Sequence, residues 1–231
     1  LLADLAIKQE GFGEVLPGAS VFILDEAHQI PELALQFFGE SVSSRQLFDL
    51  GKDILTEAAK LTGSSALLAM PVKLVEQRLK QLRAECENVP NKAGAMALAK
   101  HSNILDALQA VTEQCEELYQ ALEQQAGASA ALDLCIERAE ALMARWRIWL
   151  KALDNPKSDN DTGIVVAVRW YELSQRGITL HATPMDVSTP LRQYREQSKA
   201  AWILTSATLA VNNSVEHLAG KLGLNEPRVL V

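Results

Sequence analysis

The chain has 231 residues, 48% hydrophobic and 22% charged, enough to bury a sizeable core, and carries a formal net charge of −7. No apolar run approaches the roughly 20 residues that span a bilayer and no signal peptide is present, so a membrane partner is not expected and the cytoplasm is the default compartment. Cys86, Cys115 and Cys135 are odd in number and widely spaced, which speaks against a disulfide framework or a metal knuckle and for three core thiols.

In chain order, the first informative stretch is Val21-Phe22-Ile23-Leu24-Asp25-Glu26-Ala27-His28. Four apolar residues suit a strand buried on both faces of a parallel sheet, and ligands gather at the carboxyl ends of such strands. Two adjacent acids at that point match the needs of nucleoside triphosphate hydrolysis. One carboxylate, Asp25, holds magnesium through its water shell, and the second, Glu26, orients or deprotonates the attacking water. Ala27 keeps the turn small, and His28 stands where it can sense the γ-phosphate. Asp-Glu after a strand is also an ordinary way to begin a loop or helix. A D-E-A-H tetrapeptide, however, arises by chance in a chain of this length only on the order of once in a thousand.

A long helical region follows. Val72, Val75, Leu79, Leu82 and Cys86 recur at spacings of three and four, as do Leu108, Val111, Cys115, Leu118 and Leu122, and as do Leu132, Ile136, Ala139, Leu142 or Met143, Trp146, Leu150 and Leu153. Turn composition at 63–65, 89–91 and 127–129 separates them, which predicts helices near 45–62, 66–88, 94–126 and 129–153. The polar run 155–161 closes this bundle. Beyond it the period changes to that of strands at 163–171 and 177–183, predicting a hairpin or edge strands. A last apolar run, Ala201–Leu204, ends in Thr205-Ser206-Ala207-Thr208-Leu209, whose hydroxyls can hydrogen-bond the acids of a neighbouring strand.

The acidity is unevenly placed. Residues 1–40 carry −6, residues 41–155 carry −2 and residues 156–231 carry +1, while 101–137 hold seven acids and no Lys or Arg. Basic residues gather at Lys73, Arg78, Lys80 and Arg83, and again at Arg138, Arg145, Arg147 and Lys151. These are either faces for a phosphate backbone or solvated helix faces. Arg169, Trp170 and Tyr171 bring a cation and two rings together, either to stack single-stranded bases or as core and cross-strand partners.

The order D-E-A-H-Q-I, a long helical insertion, the segment Leu180–Val187, and L-T-S-A-T-L resembles the XPD/DinG branch of superfamily-two DNA helicases. The wording around Gly11–Glu14 and Ser43–Leu47 resembles the bacterial YoaA group within it, and Leu1–Ala6 is similar to the end of the element that precedes Walker B there. The resemblance implies an α/β fold: part of a RecA-like motor domain built on a parallel sheet, interrupted by a large all-α, four-helix insertion like the Arch domain. The corresponding boundaries are 1–40 for the first motor part, 41–158 for the insertion and 159–231 for the second motor part. It further implies ATP and magnesium as ligands, a four-cysteine 4Fe-4S cluster upstream of Leu1 rather than in this chain, 5′ to 3′ travel on single-stranded DNA, and a setting in repair or replication. Thr205, Ser206, Ala207 and Thr208 correspond to the S-A-T motif that, with Ala27, couples nucleotide and strand.

No G-x-x-x-x-G-K-[ST] occurs in the chain, and a second motor domain is absent. The chain therefore reads as an internal, monomeric fragment that is inactive as an ATPase by itself. Two other classes remain open. The helical region could serve as a docking module for a replication or repair protein through Tyr119, Glu113, Glu116, Glu117 and Glu123, or the whole protein could be a scaffold with a degenerate ATPase.

Overall fold

The computed structural model describes residues 19–61, 63–154, 167–198, 200–208, 214–225 and 227. Readings that fall on Leu1–Ala6, Gly11–Glu14, residues 155–161 and Leu209 lie outside these. The described residues divide into two compact units, one within Leu1–Glu40, Gly163–Ala167 and Thr183–Val231, the other within Ser41–Thr162 and Val168–Ala182.

In the first unit the two apolar runs become strands β1 (Val21–Leu24) and β6 (Ala201–Leu204). They pair in parallel, Val21 with Ala201 through Leu24 with Leu204. Helix α1 (Ile30–Phe37) has Pro31 in its first turn, where a missing N–H is harmless. Helices α7 (Ser188–Ser198) and α8 (Glu216–Lys221) come from the distal sequence. Ala27, Ile30, Ala34, Val187, Leu191 and Leu222 form the core here, with Leu24 and Leu204 packed against it. Phe22 and Trp202, paired in register, lie with ring centroids 5.4 Å apart. The expectation of a strand buried on both faces is not met, because exposure alternates along both strands: Val21, Ile23 and Ile203 are exposed, at 48%, 68% and 48%. Among the described residues this sheet has two strands, and the core gathers on the side of Leu24 and Leu204.

The second unit holds the long helices. Strand β2 (Glu40–Ser43) leads into α2 (Ser44–Ala58), which is followed by α3 (Ser64–Glu85), a 3₁₀ turn at Cys86–Asn88, strand β3 (Lys92–Gly94) and the single turn α4 (Met96–Ala99). Then come α5 (Ser102–Glu123), α6 (Ala130–Asp154), β4 (Ala167–Ser174) and β5 (Gly177–Pro184). Helix α3 packs on α2 and α5, and α6 packs on the same two, so the four close into a bundle. The apolar stripes meet inside it, with Leu50, Ile54, Leu79, Leu82, Leu108, Leu122 and Leu132 almost wholly buried. Gly51 sits where α2 and α3 approach so closely that a Cβ would stand 2.9 Å from Val72 Cγ1.

Two features correct the sequence expectation. The helix predicted over 94–126 begins only at Ser102, because His101 is extended (φ −119°, ψ 105°) and Lys92–Gly94 pair with β4 instead. The insertion is also not all-α, since β2, β5, β4 and β3 form a four-stranded sheet in that order. Alternate residues Tyr171, Leu173, Ile178 and Leu180 enter the helical core. The hairpin β4–β5 thus packs mostly with the helices, although its period-2 pattern was legible.

Candidate active site

β1 and β6 end together, and the parallel ladder continues one step past them. The Thr205 N–H donates to the Leu24 carbonyl at 2.9 Å, and the Ala27 N–H donates to the Thr205 carbonyl at 3.0 Å. Side chains from both strand ends are therefore held within hydrogen-bonding reach by backbone alone.

The Thr205 hydroxyl donates to Asp25 Oδ1 at 2.7 Å. That bond, followed by the Glu26 backbone N–H, holds the Asp25 carboxyl below the usual carboxylate range. Asp25 is ionised at neutral pH. Beside it the Ser206 hydroxyl donates to Glu26 Oε2 at 3.2 Å and lies 2.8 Å from His28 Nδ1, which is itself 3.2 Å from Glu26 Oε2. Having given its proton to Glu26, Ser206 can only accept from His28, so the network assigns the proton to Nδ1. The Thr208 N–H also donates to Ser206 Oγ, at 3.2 Å. Ala207 is exposed.

Glu26 has φ 51° and ψ 40°, the one non-glycine residue with positive φ among the described residues. Such a conformation costs about 1–3 kcal/mol and persists where the surroundings impose it. Here the imposing contacts are the Ala27 and Gln29 N–H bonds on either side of the turn. Ala27 itself is completely buried against Ile30, Ala34 and Leu191, so the third letter of the tetrapeptide must be small. Asp25 and Glu26, the two acids before it, remain open to solvent.

The arrangement suits a hydrated divalent cation: an ionised, exposed carboxylate whose Oδ1 is held in place by Thr205. No group of three or more His, Cys, Asp or Glu side chains that could hold a metal ion occurs among the described residues. Cys86, Cys115 and Cys135 are free and buried. Burial pushes Cys86 up to about 11 and Cys115 up to about 12.

The residues considered for nucleic acid are placed apart. Arg138 pairs with Asp53 of α2 at 2.6 Å and Arg147 with Glu116 of α5 at 2.7 Å. Arg145 bonds the Ala141 carbonyl, and Lys151 is exposed. At 100° per residue Arg138 and Arg145 share one side of α6 while Arg147 and Lys151 share another, so the four do not make one basic face. Tyr171 is fully buried and offers no ring to a base. Arg169 is half-buried, its Nε shielded. Trp170 lies on the opposite face of β4, stacked on His181 at 3.8 Å and 8°, with Lys92 Nζ 4.3 Å from its ring centre. Sequence reasoning missed Lys92 and His181 as its neighbours, because only strand register brings them there.

No protein-family model matches the chain. Curated relatives place it among sequences similar to ATP-dependent DNA helicases along its whole length. These are the ATP-dependent DNA helicase YoaA of Escherichia coli K12, 34% identical over 230 residues (100% of this chain, 35% of the relative), and that of Haemophilus influenzae, 37% identical over 230 residues (96% of this chain, 33% of the relative). The chain spans about a third of the length of the curated relatives it matches. The likeness to the YoaA group read from the motifs is borne out. No described helix is long and apolar enough to cross a membrane.

Proposed function

We propose that this chain is the part of an ATP-dependent DNA helicase motor that manages magnesium and the attacking water, together with its Arch-like insertion. The observation that carries the reading is the pair of hydroxyls from one strand end resting on the pair of acids from the other: Thr205 on Asp25 and Ser206 on Glu26. Asp25 would hold magnesium, and Glu26 would align the nucleophilic water for in-line attack. His28, through Ser206, links the state of Glu26 to the loop after β6, so that hydrolysis and strand movement are coupled. ATP and magnesium supply the phosphoryl chemistry, and the phosphate cradle and second motor domain come from outside these residues. The isolated chain therefore hydrolyses ATP negligibly.

In the intact protein the unit that holds β1 and β6 belongs to a RecA-like motor domain, the unit that holds the helical bundle and the β4–β5 hairpin is the Arch, and an iron–sulfur domain lies upstream. The substrate is single-stranded DNA, travelled 5′ to 3′ in repair or fork maintenance. The test is ATP-dependent unwinding by the full-length protein of duplexes with either a 5′ or a 3′ single-stranded tail. Unwinding of the 5′-tailed duplex alone is expected. Unwinding of neither, with ATP and magnesium present, overturns the reading.

A further inference from the structure

The four-stranded sheet turns one face to the helical core and the other outward. On β4 the core takes Tyr171 and Leu173, so Val168, Trp170, Glu172 and Ser174 face out, and Val168 is 51% exposed. On β5 the core takes Ile178 and Leu180, so His181 faces out. Trp170 and His181 stack across these two strands at 3.8 Å. On the other side of β4 runs β3, with Gly94 directly opposite Trp170 and Lys92 opposite Glu172.

Gly94 therefore contributes no side chain at the outward position beside the Trp170 ring. A Cβ built there would meet nothing nearer than the Arg169 carbonyl at 4.0 Å. One strand spacing, about 4.8 Å, separates that position from Trp170, close to the spacing of two rings in contact. The Lys92 ammonium lies 4.3 Å from the Trp170 ring centre on an exposed, flexible stem. The bed below is firm: the Trp149 indole donates to the His181 carbonyl at 3.0 Å, and β3 is tied to β4 by the Leu173 and Ala95 N–H bonds at 2.7 and 3.0 Å.

We infer that the Gly94 position is a slot for one base of a DNA single strand, which stacks beside Trp170 and extends the Trp170–His181 stack while the Lys92 ammonium swings to the adjoining phosphate. The inference rests on the helicase reading above, which supplies the strand. A base is the occupant that fits a flat ring, a one-ring gap and a movable cation, since stacking tolerates any sequence and the cation meets a phosphate. Glu172, across from Lys92, repels phosphate at that end of β3, so the backbone passes by Gly94.

The experiment is binding of short fluorescein-labelled oligo(dT) to the 231-residue chain by anisotropy, over a range of salt. Gly94→Val fills the slot with a residue suited to strands and leaves Trp170 in place, while Trp170→Leu removes the ring. Each is expected to weaken binding by about 5- to 150-fold, the range one base stack carries. Trp170→Tyr, which keeps a ring, retains most of it. Lys92→Gln lowers the salt dependence by about one phosphate contact. Wild-type affinity in both Gly94→Val and Trp170→Leu, with melting temperatures unchanged, overturns the inference and leaves the face to a protein partner. Absence of binding by the wild-type chain overturns it as well. The helicase reading stands or falls separately, on unwinding by the full-length protein.

Discussion

At Asp25 the decisive neighbour is a hydroxyl 180 residues away in sequence. Replacing Thr205 by Val keeps the shape and removes the donor. The Asp25 carboxyl is then expected to titrate higher, back toward its ordinary value near 3.8, as read from the pH dependence of its carboxyl carbon resonance. The sign follows from the bond: a donor that favours the ionised form lowers the pKa, and its loss raises it. Because Asp25 is exposed, the change belongs to ionisation and cation affinity rather than to folding. An unchanged titration would mean that Thr205 does not hold the carboxylate. At this scale the sequence was most informative about Asp25 to His28 and Thr205 to Thr208, where a short motif at a strand end fixes which side chains leave the sheet together. It was least informative about Lys92 and Gly94, which become neighbours of Trp170 through pairing of strands far apart in the chain, and about the register across the β4–β5 hairpin that stacks His181 on Trp170.

Among the elements, α2 shows how a helix end positions a sheet. Ser43 and Gln46 form a reciprocal capping box at its start. The next residue, Ser44, is buried, and its hydroxyl accepts from the Ile178 N–H at 3.1 Å and donates to the Ile178 carbonyl at 3.3 Å. Gly177 permits this approach, since a Cβ there would stand 2.8 Å from Ser44 Cβ. Ser44→Ala strands two backbone groups of β5 in the interior and is expected to lower stability by about 1–3 kcal/mol. A shift in the urea midpoint with unchanged slope measures it, and a midpoint equal to wild type would show that water replaces the hydroxyl. The stripes of α3, α5 and α6 were legible because helical periodicity is local. The start of α5 and the order β2-β5-β4-β3 were not, because no local pattern records that Lys92–Gly94 will find Trp170–Glu172. β1 read as doubly buried because its composition reports apolar residues, not which face is covered.

On the scale of the molecule, the strand end that carries Asp25 and Glu26 and a helical bundle with its own sheet occupy separate units of one chain. Their charges differ accordingly: the 1–40 segment carries −6, while the bundle spreads its charges into ion pairs such as Arg138–Asp53 and Arg147–Glu116. A face such as that of Trp170 would contact a strand by stacking more than by net charge. On this account the central event is activation of water by Glu26. The measurement that tests it most directly is single-strand-stimulated ATP hydrolysis by the full-length protein, wild type beside Glu26→Gln, which keeps the size of the side chain and its bond with Ser206. We predict a DNA-dependent rate that falls by about 10²–10⁴-fold in the variant, the contribution of a positioned general base. Equal rates in the two proteins would contradict the assignment of Glu26 and with it the account of this site as the motor's hydrolytic centre.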